Sequence, residues 1–224
     1  MARCIVQALL RRGPAREHNS DNLYLGDAWV PFGQRASFSR ALATEEAVQL
    51  YAVAGGIGGS GCDDLAAETA LAVLARHGQQ LKAGRGGFDL AAFAWAFAEE
   101  ANALIYRLLE PNLGLQAGTT LAVLLLIGGQ ACTIGIGNST VFLLRAGRLQ
   151  DLSREEGASN GPGPSPAFLG LHDRQQLARA IRIERIALQA GDRFLLATNG
   201  VTDLRAPTDL KGVLTAPGIF VRQL

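Results

Sequence analysis

The order of patterns along the chain predicts an α+β fold, with antiparallel sheets stacked face to face and helices lying on them. Three observations carry this. Two long helical stretches stand mid-chain, β-prone segments separated by glycine turns follow them, and the composition supports a layered core. Of 224 residues, 48% are hydrophobic and 18% charged, which excludes a disordered chain. The length suits one domain over residues 1–224.

Residues 3–9 and 21–26 read as a first pair of short strands, joined by a stretch holding the turn residues Gly13, Pro14 and Asn19. Gln49 to Val53 is a compact strand that ends in the glycine-rich GGIGGSG, where Gly55 to Gly59 are expected to form a sharp turn with positive φ. Asp63 to Leu81 repeats apolar residues at helical spacing, with Asp63 and Asp64 at the positive end of the dipole and Gly78 as a candidate stop. Asp89 to Leu109 is an alanine-rich helix that Pro111 ends. LAVLLLI, ACTIGIG, STVFLLR and RLQDL follow as strands. Their hairpin turns are Gly128-Gly129, Gly137-Asn138 and Ala146-Gly147. GASNGPGPSP (157–166) is a loop within a flap spanning 154–172. Residues 183–189 and 193–198 read as a further strand pair around Ala190-Gly191-Asp192.

Lys and Arg number 21 against 20 Asp and Glu, which argues against a dedicated nucleic-acid binder. Cys4, Cys62 and Cys132 match no zinc or CxxC spacing and read as free thiols of a reducing compartment. The apolar start CIVQALL is too short and polar for a signal peptide, and Gly128-Gly129-Gln130 interrupt the run Leu121 to Ile127 well before a membrane span. The expectation is a soluble, cytoplasmic protein that engages neither membrane nor nucleic acid.

Five stretches in order resemble the PPM (type 2C, metal-dependent) serine/threonine protein phosphatases. Arg16 to Asp21 is similar to R-x-x-N-E/Q-D, and Val53 to Gly59 to V-A-D-G-M-G-G. Ala117 to Leu121 resembles the family's G-T-T strand opening. Ile136 to Ser139 with TVFLLRAGRLQDL resembles G-D-S-R-x-Y-L-x-R-x-G-x-L-x-x-L. Leu188 to Arg193 with FLLATNGVTDL resembles L-x-x-G-D-x-x-L-L-x-S-D-G-L-T-D. The resemblance spans most of the chain. It implies a four-layer α-β-β-α sandwich of two antiparallel sheets flanked by helices. It also implies hydrolysis of phosphoserine and phosphothreonine esters by two Mg²⁺ or Mn²⁺ ions that activate a bridging water.

Carried over residue by residue, the resemblance makes Arg16 the phosphate-gripping arginine, Asp21 an acid reaching the metals through water, and Gly56 a carbonyl ligand. Other positions depart from the pattern. Gly55 stands where the family has its metal-bridging aspartate, Ser20 where it has an acid or amide, and Asn138 and Asn199 where it has aspartates. The closing Asp-Asn pair is absent: Pro217 and Gly218 precede the final residues, so the C-terminus reads as shortened. Asparagine keeps shape but loses charge, glycine removes the ligand, and Mg²⁺ sheds water reluctantly.

The expectation is therefore a pseudophosphatase without a cofactor, binding a phosphoprotein or regulatory protein. The alternative is an active Mg²⁺- or Mn²⁺-dependent phosphatase whose atypical ligands are Asp21, the Gly56 carbonyl, Asn199 and one of Asp63 and Asp64, with Asp203 structural. A third reading is an assembly protein that pairs through a sheet edge.

Overall fold

The computed structural model describes residues 3–14, 16–31, 37–58, 62–84, 87–109, 117–153 and 168–216. Ten strands and five helices alternate there in the order β1 (Cys4–Arg11), β2 (Asn22–Leu25), β3 (Ser37–Thr44), β4 (Val48–Ile57), α1 (Asp63–Ala83), α2 (Leu90–Leu109), β5 (Gly118–Ile127), β6 (Gln130–Ile136), β7 (Thr140–Arg145), β8 (Arg148–Asp151), α3 (Arg174–Ala180), β9 (Ile181–Ala187), β10 (Arg193–Ala197), α4 (Asn199–Thr202) and α5 (Pro207–Thr215).

A five-stranded antiparallel sheet runs β2-β4-β5-β6-β9, beside a three-stranded sheet β10-β7-β8 and a ribbon β1-β3. Strand β5 explains the layering. Leu121, Val123 and Leu125 point into the core that α1 and α2 cover, through Ala67, Ala70, Leu71, Phe97 and Ala101. Leu124 and Leu126 point the other way, toward Leu10, Phe38 and Leu42 of the ribbon and Phe194 and Leu196 of β10. A strand buried on both faces must be apolar at every position, which is why LAVLLLI shows no alternation. Helices α1 and α2, the large sheet and the smaller sheets thus form successive layers, in keeping with the expected α+β class of antiparallel sheets stacked face to face with helices against them.

Several elements differ from the sequence reading. The first two strands do not pair with each other: β1 pairs with β3, and β2 with β4. The ribbon strand β3 lies in a stretch with no strong apolar alternation. Likewise β9 and β10 form no hairpin. The first extends the large sheet along β6, while the second crosses to pair with β7. Gly78 does not close α1. It is buried mid-helix, and a Cβ there would come within 2.5 Å of Leu50 Cδ2. The glycine lets the helix settle onto β4. The short helices α3 and α5 carry too few residues to show a period. The loop 157–166 and the final residues from Pro217 onward lie outside the described residues.

Two of the three expected hairpin turns are present, whereas Gly137-Asn138 closes no hairpin: it carries the chain from β6 of the large sheet to β7 of the small one, which pairs with β8 and β10 instead. Gly128 and Gly129 take φ of 59° and 77°, and Ala146 and Gly147 take 49° and 75°. This is the left-handed geometry that matches strand twist. Asn102 on α2 ties down the end of the flap. Its side chain accepts from the amides of Gly170 and Leu171 and donates to the Leu171 carbonyl. Leu169 exchanges two backbone hydrogen bonds with Thr119. Among the described residues, no helix is long and apolar enough to cross a membrane.

Candidate functional site

The cleft forms where the C-terminal end of β4 meets the start of β5. Gly55, Gly56 and Ile57 do not turn, contrary to expectation. They continue β4, opposite Thr120, Thr119 and Gly118, and the positive φ falls on Gly58. Their glycines serve close approach. A Cβ on Gly56 would lie 2.7 Å from the Asp63 carbonyl oxygen and 2.8 Å from both Cβ and carbonyl oxygen of Ser20. A Cβ on Gly55 would lie 2.9 Å from Thr120 Oγ1 and 3.5 Å from Asp21 Oδ1. The Gly55 carbonyl accepts from the hydroxyls of Thr119 and Thr120, and Thr120 Oγ1 lies 2.8 Å from Ser139 Oγ.

Asp21 immediately precedes β2, whose first residue Asn22 pairs with Ala54. That register places the Asp21 carboxylate beside Gly55. Thr198, just after β10, donates its hydroxyl to Asp21 Oδ2 at 2.6 Å. Asn19 Oδ1 accepts from the Asp21 amide at 3.1 Å, which fixes the approach of the loop. Burial pushes the Asp21 carboxyl above its ordinary range, and the nearby Asp63 charge adds to this. The Thr198 hydroxyl, the Arg16 charge and the Gly56 amide only partly offset it.

Asp63, the first residue of α1, forms a second corner. Ser20 donates its hydroxyl to Asp63 Oδ2 at 2.6 Å, and His18 Nε2 stands 3.9 Å from Oδ1. The side chain is only 6% exposed, and Oδ1 has no hydrogen-bond partner among the described residues. Burial alone would raise this carboxyl. The Ser20 hydroxyl, the amides of Asp63 and Asp64 at the helix start and the His18 charge outweigh burial and hold it below the usual range.

The remaining sequence-derived residues lie further out. Arg16 is exposed, but its charge reaches Asp21. Asn199 turns its amide to Asp203 Oδ2 at 3.3 Å. Asn138 is exposed on its turn, and the buried Ser139 after it reaches the cleft through Thr120. Thr198 and Ser139 lie within the quoted motifs, but a hydroxyl there carries no signal of its own in the sequence. In the sequence Asp63 stands as a complement to the helix dipole and as one of two further acids for a metal. Its cleft-facing role depends on Ser20, 43 positions away.

Hard divalent cations need several convergent oxygens, with carboxylates to offset their charge. Here Gly55 faces Thr120, one Asp21 oxygen accepts from Thr198, and one Asp63 oxygen accepts from Ser20. Among the described residues, no group of three or more His, Cys, Asp or Glu is placed to hold a metal. Among the described residues, the carboxylates gathered here are Asp21 and Asp63, each with one oxygen already accepting from a hydroxyl.

The raised carboxyl of Asp21 has a measurable consequence. Because its folded value lies above its unfolded one, the folded state holds the proton more tightly. The resulting stabilisation is complete below about pH 4 and is lost as pH rises through the folded value. Asp21→Asn keeps an oxygen for Thr198 and removes the buried charge. In chelator-containing buffer it is expected to melt above wild type at neutral pH and level with it in acid. A lower melting temperature at neutral pH would show that the charge itself is needed.

Layered antiparallel sheets with helices packed on them give this chain the fold of the PPM-type serine/threonine phosphatases. No protein-family profile matches the chain. It is similar to the serine/threonine protein phosphatase PstP of Mycobacterium tuberculosis, with 26% identity over 205 residues, covering 86% of this chain and 35% of that protein. The chain thus spans about a third of the length of the curated relatives it matches. The crystal structure of the PstP catalytic domain in complex with two manganese ions superposes with a TM-score of 0.73 at 24% identity, covering 99% of this chain and 89% of that one. The PPM Ser-Thr phosphatase MsPP of Mycobacterium smegmatis, in complex with cacodylate, gives 0.66 at 20% identity, covering 98% and 89%.

Proposed function

We propose that this domain is a pseudophosphatase: a PPM scaffold that binds a phosphorylated or regulatory protein through its cleft and does not hydrolyse the phosphoester. The observation that carries this reading is Gly55 at the place of the metal-bridging carboxylate, with Thr120 Oγ1 2.9 Å from where its Cβ would be. Asn138 and Asn199 supply no charge in place of the family's aspartates, and Asn199 instead bonds Asp203. No activated water follows without paired ions, so Arg16 is left as an anion-binding group, its planar fork suited to a phosphate monoester. On this reading no cofactor is required. The three unpaired cysteines suit a cytoplasmic setting.

A hydrolysis assay on an aryl phosphate, with Mn²⁺ or Mg²⁺ at millimolar concentration, tests the reading. The expected result is a rate equal to that of metal alone. Metal-dependent turnover would establish the competing reading, an active Mg²⁺- or Mn²⁺-dependent phosphatase. The observation favouring that alternative is the buried Asp63 Oδ1, which has no hydrogen-bond partner among the described residues, on a residue whose own backbone carbonyl lies against Gly56. It predicts that Asp21→Ala abolishes the turnover.

A further inference from the structure

Arg16 sits on an exposed loop, and a long side chain on a loose loop reads an anion poorly, because ordering it consumes binding energy. The loop is not loose. The Arg16 amide donates to the Gly13 carbonyl at 3.1 Å, closing a turn. Arg12, one residue before that turn, folds its guanidinium back across it. Its Nη1 donates to the carbonyl of Arg16 at 3.0 Å and to the carbonyl of Glu17 at 2.8 Å. Further along, the Asn19 side chain holds the Asp21 amide. Arg16, whose charge reaches Asp21, is therefore bracketed on both sides by side chains that grip backbone.

From this geometry we infer that Arg12 is a positioning residue for Arg16. It clamps the carbonyls of Arg16 and Glu17, so that the Arg16 guanidinium meets a phosphate monoester already oriented. The inference rests on the phosphate-binding role proposed above for Arg16. Two chemically identical side chains divide the work. Arg16 contacts the anion. Arg12 spends Nη1 on two carbonyl oxygens at once, held there by the rigid plane of its guanidinium. The third arginine of the run, Arg11, ends β1 and pairs in register with Ser37, so it belongs to the ribbon.

Two measurements on wild type, Arg12→Ala, Arg12→Lys and Arg16→Ala test the inference. The first is the rate at which a glutamate-specific protease nicks the folded protein after Glu17, which needs no ligand. The second is binding of inorganic phosphate as a function of salt. Losing two carbonyl hydrogen bonds should speed nicking in Arg12→Ala by about tenfold and weaken phosphate binding by about fivefold to tenfold. Arg12→Lys, which keeps the charge and loses the fork, should fall between wild type and Arg12→Ala in both. The salt dependence of binding should stay that of wild type in Arg12→Ala, because a clamp neutralises no phosphate charge. Arg16→Ala should lose binding outright.

Phosphate binding by wild type with nicking unchanged in Arg12→Ala would overturn the clamp and leave the phosphate site standing. A salt dependence that weakens in Arg12→Ala would make Arg12 a direct anion ligand, which also overturns it. Absence of phosphate binding by wild type would overturn the phosphate-site reading and this inference together.

Discussion

Replacing Gly56 by alanine is expected to destabilise the domain by about 3 kcal/mol, at the upper end of the usual range for overpacking a tight site. The backbone at Gly56 is ordinary strand, so alanine meets no conformational barrier there. The obstacle is the surroundings. Two of the three atoms a methyl would strike are backbone carbonyl oxygens, of Asp63 and Ser20, and all three lie within 2.8 Å. Neither carbonyl can swing aside without moving the start of α1 or the loop that carries Arg16 and Asp21. The neighbouring Gly55→Ala provides the control. Its methyl would meet one side-chain atom first, Thr120 Oγ1 at 2.9 Å, and no backbone oxygen, so the expected loss is about 1 kcal/mol. Chemical denaturation of both variants checks the contrast. Equal losses would mean that the close approach at Gly56 is not what holds the cleft together.

The second large effect is expected at Asp192, in the turn between β9 and β10. Its side chain is 4% exposed and receives two hydrogen bonds from Arg145 of β7, at 2.8 and 2.6 Å, and one from the Gln189 amide at 2.8 Å. Arg145 also donates to the Ala187 carbonyl at 2.8 Å. This one carboxylate joins the end of the large sheet to the strand that enters the small one. Asp192→Ala should cost about 2–3 kcal/mol, the range for hydrogen bonds to a charged group. The Arg145 hydrogen bonds, and then the Gln189 amide, hold the Asp192 carboxyl below its usual range against the effect of burial. Its contribution is therefore present above about pH 4 and is lost as pH falls through the folded value. The difference between variant and wild type should shrink in that acid window. A gap that persists unchanged into strong acid would point to lost packing instead of the ion pair.

These two residues also show what the sequence could and could not reveal. Strands β5 to β7 are legible because each is apolar and each is followed by a tight turn holding a glycine at positive φ. The turn around Asp192 looked the same in sequence, yet it separates strands of different sheets. Nothing local distinguishes a hairpin from a crossing, because the deciding partner is Arg145, 47 positions earlier. Strand β3 was missed because the ribbon is largely exposed and its residues obey no burial pattern. At the cleft, Arg16, Ser20, Asp21, Gly55 and Gly56 were found because they sit inside contiguous motifs. The reason for glycine at 56 was misread. A glycine run suggests backbone freedom, whereas here it allows three chain segments to touch. Asp63, Thr198 and Ser139 join the cleft only through tertiary contacts.

The most direct test of the pseudophosphatase reading is metal binding itself. Chelator-treated protein would be titrated calorimetrically with Mn²⁺ and then Mg²⁺ at millimolar concentration, with Asp21→Ala as the reference. With Gly55, Asn138 and Asn199 in place of carboxylates, the predicted result is no saturable heat from either ion and no difference between wild type and variant. Saturable binding of two Mn²⁺ ions, lost in Asp21→Ala, would contradict it and return the domain to the metal-dependent enzymes.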